Sequence, residues 1–308
     1  MPEYPYSLAI HGGCGNVVQE KFTPEREEQY KEALNEPLKI GEAILANNGS
    51  SIEAVEAAIQ AMQDSPLFNA GKGAVFNHNG DNEMDASIID GKTLEAGAMA
   101  GLNKVKNPIS ASRLVMEQSN HVLLIGAGAE QFAHEQGASM VDPEWFYTHK
   151  RWKQHLKAKA KDRQTLDHSS EDENYGTVGA VAMDVQGNLA SGSSTGGINN
   201  KKHGRVGDSA IIGAGVYANN AIGAISCTGE GEYFMRNATA QNVTALMAYK
   251  NFGLKSAAHQ SLEQIKNLGG EGGMVAIDQQ GNIEMPFITN GMYRGSVKQG
   301  QAPFIAMF

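Results

Sequence analysis

The sequence predicts an α+β fold with stacked β-sheets, and three features carry that expectation. Residues 178–183, VGAVAM, are apolar throughout and small or β-branched up to Met183, as in a strand buried on both faces. The pattern D-x-Q-G-N occurs at 184–188 and again at 278–282, and each copy reads as a β-hairpin with a Gly-Asn turn. Residues 231–249 and 256–268 carry helical amphipathic patterns, which supply layers to cover the sheets.

Taken in order, residues 7–10 read as a short buried strand that delivers His11-Gly12-Gly13. No neighbouring carboxylate orients His11 for acid-base work, so the reading is a hydrogen-bonded residue near the cleft. Residues 24–48 are helical by composition, with Pro37 permitting a kink or break and Gly49 a stop. Ser50 and Glu53 form a capping box for a helix over 51–63, with Ile52, Val55, Ile59 and Met62 on its apolar face. Pro66, Asn69, Gly71 and Gly73 make the next stretch a compact turn. Residues 84–90 and 94–100 read as paired strands around Asp90-Gly91. Asn107 is an N-cap residue with Pro108 at the first helical position, opening a helix to about Ser119. Residues 121–125 read as a buried strand, and GAGAEQFAHEQG follows as a glycine turn and helix.

That last stretch offers a reading from another class, a nucleotide-binding module. It lacks the full GxGxxG, and no acidic residue follows a second strand at the required spacing. Residues 143–163 form a basic helix with two tryptophans, read as a solvated helix tapering into a linker at about 160–176, where Asp167, Glu171, Asp172 and Glu173 follow. Arg294 is assigned to solvent.

At 308 residues the chain suits one large domain or two smaller ones. A net charge of −9 argues against broad binding to nucleic acid or an anionic membrane. Cys14 and Cys227 make neither a disulfide framework nor a zinc site, and read as reduced core residues. His149, His155 and His168 have no metal-ligand spacing. The first ten residues lack a signal-peptide pattern and no run approaches a membrane span; the expectation is a cytoplasmic protein.

The chemistry concentrates in residues 176–231. Thr177 opens the 178–183 strand after a polar, charged segment, and two further threonines each adjoin glycine, Thr195-Gly196-Gly197 and Thr228-Gly229. A threonine hydroxyl needs a base, and the residue's own α-amine, with a reference pKa of about 7.7–8.0, suits work near neutrality. That amine exists only once the Gly176–Thr177 bond is broken, and glycine at 176 tolerates a strained scissile bond. Arg205 offers a fork for a carboxylate, and Asp208 can hold an ammonium. Together they describe a receptor for a free α-amino acid head.

HGGCGN (11–16), NAGKGAVF (69–76), MDASIIDG (84–91), GTVGAVAMD (176–184), STGG (194–197), GRVGDSAIIGAG (204–215), CTGEGE (227–232) and GMYRG (291–295) closely resemble the plant-type (type III) asparaginase and isoaspartyl peptidase family of Ntn-hydrolases, in a bacterial-like form. The resemblance spans nearly the whole chain. It implies a four-layer αββα sandwich in one domain, autocatalytic cleavage into subunits 1–176 and 177–308, and an (αβ)2 heterotetramer. By position it assigns Thr177 as nucleophile and Thr195 as the hydroxyl that orients it. Arg205 and Asp208 would bind the substrate α-carboxylate and α-ammonium, and Gly231 would shape the α-amino pocket. Thr228 and the Gly229 N–H would form an oxyanion hole, with Asn69 as a nearby hydrogen-bonding group.

The resemblance also implies a structural sodium or potassium ion held by main-chain carbonyls of Met62, Gln63, Ser65, Phe68, Ala70 and Lys72. A carbonyl ligand does not depend on side-chain type, so Lys72 is compatible with it. No cofactor is expected for catalysis. Ala127 stands where many relatives carry glutamate, which bears on local packing rather than on the catalytic set. The implied reaction releases L-aspartate from L-asparagine or β-aspartyl dipeptides. A glycosylasparaginase and a non-cleaving ligand-binding protein on the same fold stay open as alternatives.

Overall fold

The computed structural model describes residues 4–161 and 176–308, so the acidic linker residues and His168 lie outside the described residues. The strands are β1 (Ser7–Gly15), β2 (Met84–Asp90), β3 (Ala96–Leu102), β4 (Leu123–Ile125), β5 (Val178–Met183), β6 (Leu189–Thr195), β7 (Val216–Asn219), β8 (Gly223–Gly229), β9 (Gly272–Asp278), β10 (Ile283–Glu284), β11 (Gly291–Lys298) and β12 (Phe304–Ala306). The helices are α1 (Pro24–Ala46), α2 (Ser51–Asp64), α3 (Pro108–Gln118), α4 (Gly126–Glu135), α5 (His149–Ala160), α6 (Gly231–Asn237), α7 (Thr239–Lys250) and α8 (Leu254–Asn267).

One sheet has the order β12-β11-β1-β5-β6-β2-β3-β4 and the other β10-β9-β8-β7. Neighbours are antiparallel except β3 and β4. The sheets face each other through β1, β5 and β6 against β7, β8 and β9. Helices α1, α2 and α3 cover the outer face of the larger sheet, and α7 and α8 cover that of the smaller one. This is the expected αββα sandwich.

Strand β5 shows why VGAVAM serves such a fold. Side chains alternate across a strand, so Val178, Ala180 and Ala182 join the core under α1 and α2 while Val181 and Met183 join the core between the sheets. Both faces are dry, and apolar residues occupy every position. The two D-x-Q-G-N copies form matching turns. Asp184 Oδ1 accepts from the Gln186 and Asn188 N–H groups at 3.0 and 2.9 Å; Asp278 Oδ1 accepts from Gln280 and Asn282, both at 2.9 Å. Gly187 and Gly281 take φ of +81° and +74°, the region glycine enters without strain.

The expected capping box is present: Ser50 Oγ accepts from the Glu53 N–H, and Glu53 Oε2 accepts from the Ser50 N–H at 2.8 Å. Helix α1 continues through Pro37, which is buried. Several expectations need correction. Residues 123–125 are an exposed edge strand paired only with β3, with Leu123 and Ile125 43% and 68% exposed, rather than a buried strand. The second strand of the 84–102 pair starts at Ala96, because Leu94 (φ +63°) completes the turn with its N–H on Asp90 O. Asn107 makes no side-chain cap; its Nδ2 donates to Asp64.

The 231–249 helix is two helices. Ala238 is left-handed at φ +45°, and the turn lets Ala240 and Gln241 donate to the Ala214 and Gly213 carbonyls. The basic segment divides into a 3-10 turn, Pro143–Phe146, and α5. That helix is not fully solvated: Arg151 is 2% exposed and its Nε donates to Gly73 O at 2.8 Å. Arg294, expected in solvent, is half-buried and turns back on the protein. Its Nη1 and Nη2 donate to Met292 O and Phe308 O, and its guanidinium lies over the Phe287 ring.

Candidate active site

The ends of β5, β6 and β8 meet the turn 204–209 at one cavity. It is lined by Thr177, Thr195, Asn69, Arg205, Asp208 and Gly229 among others. Thr177 precedes β5 and is 7% exposed. Its Oγ1 donates to Thr195 Oγ1 at 3.1 Å and lies 3.4 Å from Ser209 Oγ. Thr195 Oγ1 also accepts the Gly197 N–H at 3.0 Å, which fixes the hydroxyl in place. Asn69 braces the same turn: its Nδ2 donates to Gly197 O at 2.7 Å, and its Oδ1 accepts the Val75 N–H at 3.0 Å.

Two charged groups, buried Asp208 and half-buried Arg205, lie in the same cavity as Thr177. Asp208 is 3% exposed, and its Oδ2 has no hydrogen-bond partner among the described residues. Burial pushes its carboxyl up to about 7, against the lowering influence of Arg205. A buried carboxylate oxygen with no partner is costly; a ligand cation would relieve it. Arg205 is gripped on one edge, its Nε and Nη2 donating to Glu232 Oε1 and Oε2 at 2.8 and 2.9 Å. Burial works against the guanidinium charge, but the bond to Glu232 and the charges of Glu232, Asp208 and Asp85 together outweigh it, so the Arg205 pKa is raised. Glu232 therefore takes the Nε edge of the fork, leaving Nη1 and one hydrogen of Nη2. Gly231 separates the two receptor groups: a Cβ there would meet the Asp208 N and Oδ1 and Arg205 Nη2 at 2.9, 3.0 and 3.0 Å.

At the end of β8, the Thr228 hydroxyl is buried and also without a hydrogen-bond partner among the described residues. Gly229 follows at φ +150°, and any side chain there would strike Glu271 O and the Phe234 ring. An unpaired hydroxyl next to a glycine whose backbone lines the cavity is the arrangement an oxyanion hole requires. Gly176 lines the cavity from the other side and sits against Gly13, where a Cβ would collide with the Gly176 backbone.

A family model described as asparaginase matches residues 4–306. The chain belongs to the asparaginase family. Its relatives include the isoaspartyl peptidase of Salmonella typhimurium, 45% identical over 306 residues and 98% of each chain. That of Escherichia coli is 46% identical over 306 residues, covering 98% of this chain and 95% of that one. The isoaspartyl peptidase/L-asparaginase of Homo sapiens is 39% identical over 299 residues, covering 96% of this chain and 94% of that one.

In this family member, the turn expected to hold an alkali cation runs from the end of α2 through the 3-10 turn Gly71–Gly73. Glycine permits its tight folding: a Cβ on Gly71 would collide with Gln63 O, and one on Gly73 with Phe68 O. Carbonyls of Gln63 and Phe68 are thereby drawn in against the later part of the turn, and oxygen is what a hard cation takes. The Lys72 ammonium lies 4.1 Å from the Trp145 ring centroid, engaged outside the carbonyl turn. Of the six expected carbonyls, those of Gln63 and Phe68 are the two that these glycines bring against the turn.

Sequence reasoning missed four groups that the fold brings to the site. Glu232 stood within the CTGEGE motif and Ser209 within GRVGDS, so motif membership was the available signal. Asp85 stood in the same way within MDASIIDG, and Lys201 gave no signal. Asp85 pairs with Thr195 across β2 and β6, is fully buried, and lies 4.0 Å from the Lys201 ammonium, which donates to Glu83 O at 2.9 Å. Cys14 and Cys227 are buried thiols, and Cys14 Sγ donates to Thr228 O at 3.4 Å.

Proposed function

We propose that this chain is an autoprocessing N-terminal threonine hydrolase that cleaves the β-amide of L-asparagine and of β-aspartyl dipeptides, releasing L-aspartate. The observation that carries the reading is the Thr177 hydroxyl, 3.1 Å from Thr195 Oγ1, in one cavity with the buried Asp208 and Arg205. The names of the relatives support the substrate class.

In maturation, Thr177 Oγ attacks the Gly176 carbonyl carbon, and the acyl group passes from nitrogen to oxygen. Water hydrolyses the resulting ester, which leaves Gly176 with a carboxylate and Thr177 with a free α-amine. In turnover that amine takes the Oγ proton as Oγ attacks the substrate β-carbonyl. The Thr228 hydroxyl and Gly229 N–H donate to the developing oxyanion; removing one such donor commonly costs about 3–4 kcal/mol. The amine returns the proton to departing ammonia or peptide amine. Water, deprotonated by the same amine, then cleaves the β-aspartyl ester. Arg205 holds the α-carboxylate through its Nη1 and Nη2 hydrogens, and Asp208 holds the α-ammonium. Met62, Gln63, Ser65, Phe68, Ala70 and Lys72 would hold sodium or potassium through carbonyls, which stiffens the turn that carries Asn69.

The assembly under this reading is (αβ)2, acting in the cytoplasm, and light scattering would give about twice the chain mass of 32.9 kDa. Intact mass under denaturing conditions tests the central step. Wild-type protein should resolve into fragments 1–176 and 177–308, and Thr177→Ala should stay whole, folded and inactive. A cleaved Thr177→Ala chain would sink the mechanism; a wild-type chain uncut after long incubation would favour a silent binder.

A further inference from the structure

His11 is fully buried and plays no part in the chemistry above, yet it touches the nucleophile residue. Its Nδ1 lies 3.0 Å from Thr177 O and its Nε2 3.0 Å from Ser226 Oγ. The contact falls where the sheet stops. Pairing between β1 and β5 runs from Ser7 opposite Met183 to His11 opposite Gly179 and ends there, because β1 bulges at Gly12 and Gly13. Thr177 lies two residues beyond that last pair, so its carbonyl is served by an imidazole instead of the β1 backbone. Gly179 makes room for the ring: a Cβ there would collide with His11 Nε2 and Ser226 Oγ.

Hydrogen counting sets the tautomer. A carbonyl only accepts, so Nδ1 carries the proton that faces Thr177 O. A neutral ring then has a lone pair on Nε2, and Ser226 must fill it with its single hydroxyl hydrogen. The rival acceptor for that hydrogen is Gly192 O, 2.9 Å from Ser226 Oγ, on a strand already paired on both sides by β5 and β2. Burial independently keeps the ring neutral, pushing its pKa down to about 3.

We infer that His11 is a positioning residue for the nucleophile: its Nδ1–H, oriented by Ser226, holds the Thr177 carbonyl so that the freed amine and Oγ stay aligned on the substrate. The inference rests on the hydrolase reading. In the intact chain Thr177 is tethered on both sides. Once the bond to Gly176 is cut, the amino side is loose, and the residue turns about its remaining bonds unless its carbonyl is held. Thr195 and Ser209 restrain only the hydroxyl. The hold therefore matters more to turnover than to maturation.

The test compares His11→Phe, His11→Asn and Ser226→Ala with wild type, measuring cleavage rate by intact mass, steady-state turnover of L-asparagine, and thermal unfolding. An asparagine side chain places an N–H near the position of Nδ1, whereas phenylalanine places none. His11→Phe should still mature, with kcat lowered about 100-fold, the loss expected of a misplacement near 1 Å, and KM changed less than about 3-fold on the same argument. His11→Asn should recover most of kcat, and Ser226→Ala should fall between the two. Wild-type-like kcat in His11→Phe overturns the inference. So does a His11→Asn chain no better than His11→Phe when both lose stability alike, since His11 is then a packing residue. Failure of the hydrolase reading is distinct, because wild type itself would then neither cleave nor turn over asparagine.

Discussion

Asp208 gives the site its sharpest pH consequence. Burial disfavours the charge and pushes its carboxyl up to about 7, and only the ionised form attracts an ammonium. For the free enzyme, kcat/KM should fall as pH drops through about 7. The limb should weaken in kcat, where bound substrate holds the carboxylate ionised. Stability moves the opposite way. The native pKa lies above the unfolded value of about 3.9, so the native state binds the extra proton between the two, and stability falls as pH rises through that window. Asp208→Asn should therefore lose at least about 100-fold in kcat/KM, as expected when a buried charge partner is removed. It should also melt above wild type at pH 8, with the difference closing near pH 4. A melting difference independent of pH would refute the burial argument.

At the scale of elements, the two D-x-Q-G-N turns are the same local device under different loads. Both aspartates accept the N–H groups two and four residues on. Asp184 Oδ2 also accepts the Ser51 N–H at 3.2 Å and so serves the first turn of α2. Helix N-termini carry unpaired donors and favour an anion. Asp184→Ala should accordingly destabilise the protein more than Asp278→Ala, by about 1 kcal/mol, in urea unfolding. Equal losses would mean that the contact with α2 adds nothing. Sequence signals were strong wherever they were local in this way. The capping box, both glycine turns and the buried alternation of β5 all lie within a few residues of the groups they satisfy. They failed where a distant partner decided the outcome: Ala238 breaks a helix so that its successor can bond the 213–214 loop, and β4 is exposed because nothing in the larger sheet lies beyond it.

For the whole molecule, the proposed cut falls inside a shared sheet. Strand β1 of residues 1–176 lies between β11 and β5 of residues 177–308, and β6 of the latter pairs with β2 of the former. Neither piece holds the larger sheet whole, and the core between the sheets draws residues from both, such as Ala9 and Ile89 with Val181 and Val275. The cleaved fragments should co-elute in native size-exclusion chromatography and part only in denaturant. Separation without denaturant would contradict a common core.

By itself the sequence nominated the residues to which the proposed function assigns the chemistry. Thr177, Thr195, Arg205, Asp208 and Thr228 stand in long ordered motifs, and the choice of a hydroxyl nucleophile, a carboxylate receptor and an ammonium receptor follows from side-chain type. Short-range physics likewise determined most strands, turns and caps. Only the tertiary structure decided how those groups are held. That Glu232 occupies one edge of Arg205, that Lys201 faces buried Asp85 behind Thr195, and that His11 serves the Thr177 carbonyl are contacts across 27, 116 and 166 positions. No local pattern encodes them, because each depends on two sheets stacking with one register, and hydrogen bonds and buried charges are satisfied only after that register exists.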